Sequence, residues 1–135
     1  MARWSWGGVA LVVALGLAGC SDDTGSTEEL CAALGEADGL ATVFAGFDPT
    51  DAEAALDQLR TARVELGELQ EAATSDVRDD HQVEIDYVQA LIDGLEQVPA
   101  GDPAAAAAVV QTVTDAHPDV QAAADGLEAY AAASC

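Results

Sequence analysis

Residues 74–98 read TSDVRDDHQVEIDYVQALIDGLEQV, and the spacing of their apolar members decides the fold. Val77, His81, Ile85, Val88, Leu91, Ile92, Leu95 and Val98 recur at three- and four-residue steps. That spacing lines them up on one face of a helix with its repeat of about 3.6 residues. A half-buried strand would instead alternate with a period of two. No part of the chain does so, and its β-branched residues are scattered. The expected fold class is all-α.

The same reading extends in both directions. Upstream, Ala52, Leu56, Leu59, Ala62, Leu66, Leu69 and Ala73 form a second stripe. Asp48-Pro49 would open that helix as a cap followed by a first-turn proline. Thr74 or Ser75 would cap the helix over 77–98. Before both, Ser26 and Glu29 fit a capping box. The helix they open carries Leu30, Leu34, Ala37, Ala41 and Phe44, and Gly46 ends it. Downstream, Pro99-Ala100-Gly101 breaks the long helix. Asp102-Pro103 then starts a segment running through Ala104–Ala108 to about Ala116.

The apolar register continues past Pro118 through Val113, His117, Val120, Ala124, Leu127 and Ala131. The prediction is a helical bundle of four to five segments over 28–135. Its last helix is bent or broken at His117-Pro118, with Pro118 in the first turn of the final helix. Asp-Gly-Leu recurs at 38–40, 93–95 and 125–127, but the flanks do not align and no constant period links the three. Helix-internal glycine at close crossings, or composition alone, accounts for the recurrence.

The amino terminus carries a different signal. Arg3 precedes an apolar run from Val9 to Leu17, bounded by small residues. Trp4 to Gly19 falls short of the roughly 20 residues a spanning helix needs, and it contains Gly7, Gly8 and Gly16. The run closes on Leu17-Ala18-Gly19-Cys20, which resembles the lipobox of bacterial lipoproteins. The resemblance implies that residues 1–19 are a signal peptide and that Cys20 is thioether-linked to diacylglycerol. It also implies a cell-membrane location with the body on the extracytoplasmic face. Ordinary secretory cleavage, leaving Cys20 a free thiol, is the rival reading. A single Arg points to the general secretory route. Residues 21–27 are small and polar and read as a flexible tether. The Ala-rich body, ending Leu127–Cys135, also resembles small helical lipoproteins of actinobacteria; that likeness is one of general character and implies no activity.

Charge narrows the function. The chain has 25 Asp and Glu residues, no Lys, and a net charge of −21. Beyond the signal segment its cations are Arg60, Arg63 and Arg78. A nucleic-acid binder needs clustered cations to displace phosphate counterions, so that class is excluded. Anionic headgroups should repel the body, which leaves the acyl chains to hold it at the membrane. Solubility is reason enough for the acidity. With Cys20 acylated, Cys31 and Cys135 remain, and an even count in an oxidising compartment favours one disulfide. If the segments stack antiparallel, a straight final helix would carry Cys135 roughly 25–30 Å past Cys31. A bend that lays the last helix obliquely across the bundle closes the gap.

Catalytic motifs are missing: there is no Gly-x-Ser-x-Gly elbow, glycine-rich phosphate loop, His-Glu-x-x-His helix, paired Glu-x-x-His or Cys-x-x-Cys-His. The acidic clusters at Asp22–Gly25 and Asp48–Asp51 lack the ligand ladder of a calcium loop. The chain is not expected to be an enzyme. Two histidines stand out. In a hairpin turning near Gly101, position 117 faces position 84, so His81, Glu84 and His117 could converge as ligands for zinc, nickel or copper. Otherwise each histidine is a core or boundary residue with a local hydrogen bond. The expected function is an accessory or protein-binding module at the cell envelope, engaging an envelope protein through a helical face. The alternative is a helical lipoprotein that binds a small ligand or metal. An exposed apolar patch would favour the protein partner, and a lined cavity would favour the ligand.

Overall fold

Ser26 caps the first helix of the body. Its Oγ accepts from the Glu29 N–H at 3.2 Å, and Glu29 Oε2 accepts from the Ser26 N–H at 3.0 Å. This is the expected capping box, and it opens α1 (Thr27–Glu36). The computed structural model describes residues 25–37 and 46–135, and among these it has five helices and no strand. Residues 1–19, expected to be a signal peptide, Cys20, residues 21–24, and residues 38–45 with Gly39, Ala41 and Phe44 lie outside the described residues. Ala37 was expected to continue the α1 stripe, but its backbone is extended (ψ 136°), and the described helix stops at Glu36. The Gly25 N–H donates to the Ala73 carbonyl at 3.0 Å. Gly25 to Thr27, assigned to the tether from sequence, therefore already belong to the folded body.

The second helix, α2 (Ala52–Ala72), begins later than Asp48-Pro49 suggested. Asp48 Oδ1 accepts from the Thr50 N–H at 2.9 Å and from the Thr50 hydroxyl at 2.6 Å, which makes a local turn. Asp51 is the true cap, accepting from the Ala54 N–H at 3.1 Å. Neither Thr74 nor Ser75 caps the third helix, α3 (Arg78–Leu95), which has no side-chain cap. The Thr74 carbonyl accepts from the Val77 and Arg78 N–H groups, while its hydroxyl turns to Tyr130 Oη at 3.4 Å. Tertiary contact has claimed the side chain that capping would have used.

Asp102 caps α4 (Pro103–Ala116) as expected, after a turn in which Gly101 takes φ +79°. The final helix, α5, spans Val120–Ser134. Pro118 lies in the turn before it, rather than in its first turn. The chain bends there, with the Val120 N–H donating to the His117 carbonyl.

Packing makes α3 the hub, in contact with α2, α4 and α5, while α1 touches α2 and α5. Leu30, Leu59, Val88, Leu91 and Leu95 fill the centre. The α2–α3 pair is antiparallel, since Gln70 bonds Gln82 at one end and Arg60 bonds Glu96 at the other. Along α3 in reverse lie Val109 against Gly94, Thr114 against Tyr87, and Gly126 against Asp80. So α4 and α5 together form one broken rod opposed to α3. At the far end Thr27 meets Tyr130, and one turn on Cys31 is bonded to Cys135 with Cα atoms 5.5 Å apart. Helix α5 thus opposes α3 and runs in the same direction as α1 over this stretch, which brings Cys135 to Cys31.

Candidate functional site

The register that opposes α4 and α5 to α3 leaves an opening where the rod breaks. Helix α4 ends at Ala116 and α5 starts at Val120, so the turn at His117-Pro118 stands off from α3. The result is a cleft of about 480 Å³, lined from α3 by Glu84 and Tyr87, from α4 and the turn by Thr114, His117 and Pro118, and from α5 by a face that includes Val120, Gln121, Ala124, Asp125 and Glu128. Its volume falls in the range of small-molecule sites.

Each polar group in the wall has an identifiable state. The Tyr87 and Thr114 hydroxyls bond each other at 3.1 Å, which ties α3 to α4. The Tyr87 ring meets the His117 ring edge-on, with centroids 5.8 Å apart. His117 Nδ1 donates to the Val113 carbonyl at 2.9 Å. Asp125 Oδ1 accepts from the Gln121 amide at 2.9 Å.

Glu84 is the exception. It is 5 % exposed, and its carboxylate accepts no hydrogen bond among the described residues. His81 Nδ1 stands 3.8 Å away, outside hydrogen-bond reach. Burial, reinforced by the nearby Asp80 charge, pushes the Glu84 carboxyl up to about 7. His81 is 1 % exposed, and neither ring nitrogen has a hydrogen-bond partner. Burial pulls its pKa down, against the opposing influence of Asp80.

The structure thus brings Glu84 and His117 to one cleft, as the register expected, and leaves His81 behind it in the core. His81 is beside Glu84 but does not line the cleft. Among the described residues, no three His, Cys, Asp or Glu side chains gather as a metal-holding group. Sequence reasoning missed Tyr87, Thr114, Gln121, Asp125 and Glu128. The available signal was the 84-to-117 register itself: carried on from 117 over the next three turns, it reaches positions 121, 124, 125 and 128. The disulfide lies elsewhere, at the α1–α5 contact. No helix among the described residues is long and apolar enough to cross a membrane.

Compared with known proteins, the chain matches no family model, no curated protein and no solved structure, so the side chains of the cleft are the basis for a functional reading.

Proposed function

We propose that this protein is an exported, lipid-anchored envelope protein whose helical body is a binding module for a small molecule. The cleft between α3, α4 and α5 carries this reading. It has the volume of a ligand site, an apolar strip (Pro118, Val120, Ala124) and polar groups contributed by all three helices. Among the described residues Val64 is the exposed large hydrophobic side chain, which gives a protein partner little to grip. The lipobox at Cys20 supplies the anchor, and the absence of catalytic motifs favours binding over turnover.

Two measurements test the reading. Intact mass of the membrane-extracted protein should show loss of residues 1–19 and an added diacylglycerol on Cys20, along with loss of Trp4 and Trp6 fluorescence. A water-soluble major species would remove the anchor from the proposal. Native mass spectrometry against a small-molecule library should detect one-to-one complexes that Ala124→Trp, a variant that fills the cleft, abolishes. Binding unaffected by Ala124→Trp would move the site elsewhere.

A further inference from the structure

The wall of the cleft is rich in hydrogen-bond acceptors and carries three carboxyl groups. Glu84 lies at its base, 5 % exposed and without a hydrogen bond. Asp125 and Glu128 add carboxylates from α5. The wall's hydroxyls bond each other. No Lys or Arg lines the cleft, in a chain whose net charge is −21. An anion would meet repulsion that a partly desolvated site screens poorly. A neutral ligand would leave the Glu84 carboxylate, when ionised, without a charge partner. A cation with hydrogen-bond donors removes both penalties. The space is far larger than a bare ion needs, and Tyr87, Val120 and Ala124 offer it an apolar surface.

We propose that the cleft binds a small organic amine, its ammonium group seated on Glu84 and its apolar body lying against Tyr87, Val120 and Ala124. This rests on the small-molecule reading of the cleft and adds the chemistry of the ligand. The buried carboxylate forms a charge-assisted hydrogen bond with the ammonium group, the stronger kind of polar contact. The neighbouring Asp125 and Glu128 draw the cation toward the mouth.

The test is calorimetric titration of the full-length, membrane-extracted protein in non-ionic detergent at moderate salt. The probes are phenethylamine, the uncharged 2-phenylethanol, the anionic phenylacetate, and zinc chloride. Each is titrated into wild type, Glu84→Gln and Ala124→Trp. Phenethylamine should bind one-to-one, about tenfold or more tighter than 2-phenylethanol, and Glu84→Gln should erase that preference. Ala124→Trp should abolish binding of both. Equal binding of alcohol and amine, or preference for phenylacetate, with Ala124→Trp still blocking, overturns the amine proposal and keeps the cleft as a ligand site. Zinc binding one-to-one with Glu84 dependence, and no amine binding, overturns it in favour of a metal. Organic-probe binding that ignores Ala124→Trp overturns the cleft reading itself.

Discussion

Ionising Glu84 inside the fold costs on the order of 3 kcal/mol, because its carboxyl is raised from 4.5 to about 7. A carboxyl raised in the folded state contributes stability that is fully present below the unfolded value and is lost as pH rises through the folded one. Glu84→Gln should therefore match wild type near pH 4 and become progressively more stable than it between pH 4.5 and 7, with a plateau above. Urea unfolding at stepped pH reads this directly, and a constant difference would mean the carboxyl titrates normally. His81 has the opposite sign. Its folded pKa is depressed by burial, so its contribution is present above the ordinary histidine value and lost as pH falls below it. Because its buried ring nitrogens lack partners, His81→Leu should be neutral or stabilising by about 1 kcal/mol at neutral pH, with the gain growing on acidification. Loss of stability in His81→Leu would show that the imidazole is held by an interaction after all.

Among the helices, two of the three Asp-Gly-Leu repeats prove to be close crossings; Gly39, in the third, lies outside the described residues. A Cβ at Gly94 would stand 2.5 Å from Val109 Cγ1, where α3 meets α4. Val109 is β-branched and stiff at χ1, so it cannot swing away. A Cβ at Gly126 would stand 2.8 Å from Asp80 Oδ2, the mobile tip of a side chain. Alanine gains about 1 kcal/mol of helix propensity at either site. Gly94→Ala should still be net destabilising, since overpacking costs about 1–3 kcal/mol, whereas Gly126→Ala should be neutral or stabilising. Thermal unfolding of the two variants ranks them, and the reverse order would contradict the assigned crossings. The break between α4 and α5 matters in the same way: the His117-Pro118 turn both opens the cleft and re-aims the last helix toward α1.

For the whole molecule, the disulfide and the charge act against each other. Cys31 and Cys135 are separated by 104 residues, so their bond closes nearly the entire body into one loop. The chain-entropy account assigns such a loop about 4–5 kcal/mol. Cys135→Ser should lower the melting temperature by many degrees and free α5 from α1, and an unchanged midpoint would show that core packing alone holds the helices. Against this, the −21 charge repels itself across the surface. Raising ionic strength from low to moderate should screen that repulsion and raise the midpoint of the intact protein. A midpoint indifferent to salt would leave solubility as the role of the acidic surface.

The residues alone determined the helices, because apolar spacing, caps and prolines act within one or two turns of the chain. Ser26 with Glu29, Asp102 with Pro103, and the stripe from Val77 to Leu95 needed no partner to be read. With Cys20 read as acylated, cysteine parity made the Cys31–Cys135 pairing legible too. Tertiary structure decided where local signals competed: Thr74 gave its hydroxyl to Tyr130 instead of capping α3, and Asp48 spent its carboxylate on Thr50. The packing also decided that Glu84, a charged residue beside the stripe, is buried, since α3 is covered from three sides and has little solvent-facing surface left. The cleft has the same origin. Its facing walls come from residues 27 or more positions apart, and only the register of α4 and α5 against α3 puts them face to face.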